Sequence, residues 1–141
     1  MKTVSLSLIG MKTVMAQGTF DILHPGHIHY LEESSGMGDE LVVVISRDSR
    51  IKKRKDLVFS EDERKKMVEA LESVDRAILG SETDIYDTVR NVNPDVITLG
   101  YDQKHDRDEV RELAEDTVGH DVEVLRIEGK NEYSSTDIKK R

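Results

Sequence analysis

No cysteine and no tryptophan occur in this chain of 141 residues. The first absence removes disulfides, thiolate nucleophiles and cysteine-based zinc sites, and it fits a reducing cytoplasm. No apolar run approaches the ~20 residues of a membrane span, and the opening MKTVSLSLIG is too short and too weakly apolar for a signal peptide, so no membrane partner is expected. No basic stripe is present either. Lys and Arg total 21 against 29 Asp and Glu, the signs are interspersed and the net charge is -8, which argues against nucleic acid as a partner. A Gly-x-Gly-x-x-Gly turn, which a Rossmann oxidoreductase would need after its first strand, is also missing. Proline occurs twice, at Pro25 and Pro94, and each marks a helix boundary in the pattern below.

What is there reads as alternating strands and helices. Short β-branched runs at Thr13 to Ala16, Glu40 to Ser46, Asp75 to Gly80, Asp95 to Gly100 and Asp121 to Ile127 predict strands. Between them, helical spacing covers Gly26 to Ser35, Ser60 to Leu71, Ile85 to Asn93 and Arg107 to Val118, with a last helix starting at Ser135. Ser60 followed by Glu63 is a capping box, and Pro94 stops the third helix. The alternation implies right-handed βαβ crossovers and an α/β, Rossmann-like three-layer sandwich around a parallel sheet of about five strands. The length suits one domain over residues 11–141. Residues 1–10 read as a dispensable extension, because MKTV at Met1 to Val4 recurs at Met11 to Val14 and the second copy leads into the first strand; a genuine extra strand or arm is the alternative.

Three of the five histidines, His24, His27 and His29, fall in GTFDILHPGHIHY, directly after the first strand. Gly18 and Thr19 form the turn, and Pro25-Gly26 opens the first helix, where proline's missing N–H has no intrahelical partner. A helix start attracts anions through free N–H groups and the positive end of the macrodipole, so His24 and His27 can face one bound phosphate. Imidazoles there donate hydrogen bonds to phosphate oxygens and stabilise charge in the transition state. A lone histidine would read as a solvent-facing helix residue; His-x-x-His bracketing Pro-Gly reverses that preference. Zinc is the weaker reading, since no third or fourth ligand accompanies the pair at useful spacing. His29 should point elsewhere and be structural.

GTFDILHPGH resembles the signature of the cytidylyltransferase-like nucleotidyltransferase superfamily, whose His-x-Gly-His element binds the triphosphate. LGYDQ at Leu99 to Gln103 stands where the family has its Gly-x-Asp turn, and YSSTDIKK at Tyr133 to Lys140 is similar to its Ser-Thr-rich helix start. VFSEDERKKMVEAL matches the helix after the basic loop RIKKRK. The resemblance implies in-line attack by an acceptor phosphate on the α-phosphorus of a nucleoside triphosphate, with pyrophosphate leaving. It further implies that His24, His27, Lys53 and Lys55 act on the transferring phosphoryl group. Gly18, Thr19, Phe20, Pro25, Gly26, Gly100, Asp102, Tyr133, Ser134, Ser135 and Thr136 would join the two histidines in nucleotide binding. A divalent cation, Mg²⁺ by preference, would ride on the phosphates, no protein side chain being assigned to it. A homodimer is expected on the same basis.

Within the superfamily, VEALESVDRAILGS and DVITLGYDQ resemble archaeal FAD synthases, which favours ATP and FMN as substrates. Cytidylyltransferases carry an arginine just before the third strand that helps hold CTP; Glu72 or Ser73 stands there, which weakens CTP. One departure cuts the other way: archaeal FAD synthases commonly have a cysteine near the C-terminal phosphate motif, and here the stretch is GKNEYSST. The alternatives are a cytidylyltransferase acting on glycerol 3-phosphate or a related alcohol phosphate, a sugar-phosphate adenylyltransferase and, more distantly, a non-catalytic nucleotide-binding module.

Overall fold

A computed structural model describes residues 11–51, 56–101 and 103–129. The expected N-terminal extension and the last helix, with Tyr133, Ser134, Ser135 and Thr136, lie outside the described residues, as do Lys53, Lys55 and Asp102. The order is β1 (Thr13–Gly18), α1 (Pro25–Ser35), β2 (Glu40–Ile45), a single 3₁₀ turn (Asp48–Arg50), α2 (Glu61–Glu69), β3 (Arg76–Leu79), α3 (Ile85–Val92), β4 (Val96–Leu99), α4 (Arg107–Val118) and β5 (Glu123–Arg126). The five strands form one sheet in the order β3-β2-β1-β4-β5, all pairs parallel, in agreement with the expected sandwich.

Alternation along the strands sorts the core into two layers. Val14, Ala16, Leu41, Val43 and Ile45 meet Tyr30 and Leu31 of α1 and Val68 of α2 on one face. Met15, Val42, Val44, Ile97 and Leu99 meet Val89 and Val92 of α3 and Ala114 of α4 on the other. Helix ends follow the expected chemistry. Ser60 Oγ accepts from Glu63 N–H while Glu63 Oε1 accepts from Ser60 N–H at 3.0 Å, closing the capping box. Before Pro94, Asn93 adopts a left-handed conformation, φ 51°, and its N–H satisfies the Val89 carbonyl at 2.8 Å, which ends α3.

Strand order reverses between β1 and β4, and there the sheet opens. The β1–β2 ladder runs for all six residues of β1, whereas β1 and β4 pair only at Val14↔Val96 and Met15↔Ile97. Beyond that point the buried Tyr30 stands in for the lost ladder: its hydroxyl accepts from Gln17 N–H at 3.2 Å and donates to the Thr98 carbonyl at 2.7 Å. Gln103 Nε2 donates to the Gln17 carbonyl at 3.0 Å. The parted strand ends therefore leave no orphaned backbone at Gln17. A crevice at this switch point is where open α/β sheets take ligands.

Candidate functional site

The carboxyl end of β1 runs into the turn Gly18-Thr19-Phe20. A Cβ at Gly18 would meet the Phe20 ring at 2.8 Å, so the ring can fold back over the strand end only if residue 18 is glycine. Phe20 itself has φ 53°, a left-handed conformation that costs a non-glycine residue roughly 1–2 kcal/mol. Its surroundings hold it there. The ring is 3% exposed and packs edge-on against His27 at 5.2 Å and stacks on Tyr30 at 6.5 Å.

His24 is the N-cap of α1: its Nδ1 accepts from Gly26 N–H at 3.1 Å, with Pro25 at the first helical position. That bond assigns the neutral ring's proton to Nε2, which is thereby a donor. The His24 and His27 rings stack with centroids 3.7 Å apart and 26° between planes, so the two imidazoles reach one place as the spacing predicted. His24 is 7% exposed. His27 Nδ1 is buried and makes no well-formed hydrogen bond. Burial lowers the His27 pKa from 6.5 to about 4; the neighbouring His24 acts in the same direction and the Ile22 backbone opposes. The free protein thus holds His27 neutral near pH 7, and an anion placed against it favours the protonated form.

This sets a pH dependence. Because the folded pKa lies below the unfolded one, the unfolded chain binds the extra proton between about pH 4 and pH 6.5, and stability is lost as the pH falls through that window. We expect the thermal unfolding midpoint of His27→Gln to fall less than that of the native chain between pH 6.5 and 4. Parallel profiles for the two would contradict a buried neutral His27.

His29 lies apart from the pair, with Nε2 3.0 Å from the Glu128 carbonyl, joining α1 to the segment after β5. Across the crevice, Gly100 follows β4; its N–H donates to Gln103 Oε1 at 2.9 Å, and Arg126 of β5 donates to the carbonyls of Gly100 at 3.1 Å and Gln103 at 2.6 Å.

Two supports of the site were not singled out from sequence. Arg64 of α2 is fully buried; it donates to the carbonyls of Thr19 at 2.7 Å and Ser46 at 2.9 Å and pairs with Asp48. One guanidinium thereby ties the ends of β1 and β2. Asp21, 2% exposed, accepts from Val58 N–H at 3.0 Å and Phe59 N–H at 2.9 Å. An arginine in a charged helix and an aspartate in a turn read as solvated; a hydrophobic-face register placing Arg64 four before Val68 was the available signal.

One expectation is corrected. Glu72 and Ser73 precede β3, and Asp75 N–H bonds the carbonyl of Leu41 near the start of β2, so both residues sit at the amino-terminal edge of a parallel sheet. They lie at the opposite edge from His24 and His27 and do not meet a ligand there within this chain. Their identity therefore carries no weight on ATP against CTP through contact in this site.

A cavity of about 430 Å³ begins at Gly18 and Thr19 and continues along α3, with Arg47 and Arg50 on its rim. Among the described residues no helix is long and apolar enough to cross a membrane. The stacked histidines at a helix start, the glycine turn and the switch-point crevice are the arrangement of a phosphate-handling α/β domain. The model of the cytidylyltransferase-like family matches residues 15–141, and the chain belongs to that family; it is a nucleotidyltransferase. Its relatives are more particular. An FAD synthase of Thermoplasma acidophilum is 49% identical over 134 residues, covering 93% of this chain and 94% of the relative. Another, from Methanocorpusculum labreanum, is 45% identical over 130 residues, covering 91% and 93%. A crystal structure of a lipopolysaccharide core biosynthesis protein from Thermoplasma volcanium superposes with a TM-score of 0.80 at 50% identity, covering 86% of this chain and all of that one.

Proposed function

We propose that this chain is an FMN adenylyltransferase, joining the adenylyl group of ATP to the phosphate of FMN to give FAD and pyrophosphate. The observation that carries the choice of substrates is the similarity, over nine-tenths of both chains, to proteins named FAD synthase. The paired imidazoles at the start of α1 support the chemistry. An oxygen of the FMN phosphate forms a bond to the α-phosphorus as the bond from that phosphorus to the bridging oxygen of the β-phosphate breaks. No covalent enzyme intermediate is needed, and the protein contributes positioning and charge stabilisation. His24 donates from Nε2 to the transferring phosphoryl group, and His27 takes up positive character as charge develops. Gly18, Thr19, Phe20, Pro25 and Gly26 shape the turn and helix start that seat the triphosphate, and Gly100 and Asp102 border the nucleoside. Lys53 and Lys55 clamp phosphates, and Tyr133, Ser134, Ser135 and Thr136 complete the phosphate site.

Among the described residues no group of three or more His, Cys, Asp or Glu is gathered to hold a metal. A divalent cation, Mg²⁺ in this reading, would be carried on the substrate phosphates and would neutralise charge there. The domain spans residues 11–141, works in the cytoplasm, and forms a homodimer. Incubated with ATP, FMN and Mg²⁺, the protein should yield FAD and pyrophosphate, separable by chromatography. CDP-glycerol from CTP and glycerol 3-phosphate, with no FAD under the same conditions, would transfer the assignment to a cytidylyltransferase.

A further inference from the structure

We propose that the cavity along α3 is the seat of the flavin ring, with Ile85 covering the ring and Arg50 meeting its carbonyl edge. This rests on the FAD-forming reading. The cavity, about 430 Å³, falls within the ~300–1,000 Å³ of small-molecule sites. It starts at the Gly18–Thr19 turn, one residue before the ring that packs on His27, so a ligand with its phosphate at the histidines can extend its other end into this space. The floor is apolar, made by Met15, Val44 and Val89, all buried.

Ile85 differs from that floor. It is 47% exposed, stands at the first position of α3, and borders both this cavity and an adjoining one of about 290 Å³. A first helical position has no need of an aliphatic side chain, and neither core layer contains Ile85. A flat apolar ring sliding in beneath it would remove that surface from water.

The polar rim suits the carbonyl edge of a flavin. Arg47 is held by Glu61 at 3.0 Å and by the Gly80 carbonyl at 2.7 Å. Arg50 donates its Nε to the Ser81 carbonyl at 3.0 Å and has no carboxylate partner among the described residues. The rim therefore presents donors, while its two strand-end carbonyls already accept from arginines. The pyrimidinedione edge of an isoalloxazine offers two carbonyl acceptors to such donors.

Ile85→Asp tests this without threatening the fold, since the side chain is exposed and an acidic residue in the first turn favours the helix. FMN binding is read by fluorescence anisotropy, ATP binding by calorimetry, and FAD formation by chromatography. Ile85→Asp should weaken FMN binding about 30-fold or more, because a carboxylate must be desolvated against the ring, and leave ATP binding unchanged. Ile85→Leu should bind FMN as the native chain does, and Arg50→Gln should weaken FMN alone by about tenfold. Unchanged FMN affinity in Ile85→Asp, or an equal loss of ATP affinity, would overturn the proposal. If the native chain makes no FAD yet binds FMN, with that binding lost in Ile85→Asp, the flavin seat stands and the FAD-forming reading falls; if it binds no FMN, both fall.

Discussion

His24→Ala and His27→Ala should each lower turnover by ~100-fold or more while changing nucleotide affinity little, the pattern of groups that act on the transition state more than on the ground state. The geometry makes the two variants unequal in one respect. His24 also caps α1 through the 3.1 Å bond from Gly26 N–H, so its removal should cost about 1 kcal/mol of stability as well. His24→Asn separates these roles: asparagine restores a cap acceptor without an imidazole, and should recover stability but not turnover. His27, 5.2 Å from the Phe20 ring, is no cap, and its loss should appear mainly in turnover. His29→Ala should do far less, since that ring reaches the Glu128 carbonyl and is not stacked on the pair. Steady-state kinetics on the four variants decides the matter. A defect in His29→Ala as large as in the other two would show that the roles within the cluster have been misassigned.

The second large effect concerns stability. Arg64→Met would strip hydrogen bonds from the carbonyls of Thr19 and Ser46 and leave Asp48 without its buried partner. Asp48 is 36% exposed and can be resolvated, so the cost lies mainly in the Thr19 and Ser46 carbonyls, roughly 1–3 kcal/mol for each one left unsatisfied, against the ~5–15 kcal/mol that holds a typical domain folded. The urea midpoint of Arg64→Met should drop accordingly, with the slope of the transition unchanged. Arg64→Lys keeps the charge and loses the planar fork, so it cannot satisfy Thr19, Ser46 and Asp48 together. It should fold, with intermediate stability and a raised KM for the nucleoside triphosphate, because the Thr19 carbonyl that fixes the turn beside His24 is released. An unfolding free energy within ~0.5 kcal/mol of the native chain's for Arg64→Met would refute the hub, that being the range of ordinary surface substitutions.

Strand and helix order, the capping box at Ser60, the stop before Pro94 and the pairing of His24 with His27 were all legible in the chain. Each depends on neighbours a few residues apart: alternation along a strand, a side chain reaching the third N–H of its own helix, two rings at one helix start. These are set by local covalent geometry, which periodicity reports directly. The reach from Arg64 to Thr19 and Ser46 is of another kind. Within SEDERKK only the four-residue spacing to Val68 sets Arg64 apart from its charged neighbours, and that spacing does not name its partners, which are carbonyls contributed by two other strand ends. The nucleotide contact expected at Glu72 fails for the same reason. A motif match aligns residues along the chain, whereas the edge of the sheet to which a residue belongs depends on strand direction, known only once β3 is paired with β2. The crevice likewise required the folded sheet: β1 and β4 part after Met15 and Ile97, and Tyr30, Thr98 and Gln103, up to 73 residues apart in the chain (103 minus 30), converge to satisfy the backbone they leave behind. Local periodicity specifies which elements form and how they alternate; partners distant in sequence become neighbours only by packing, and it is packing that parts the strands, buries Arg64 and leaves Ile85 over the cavity.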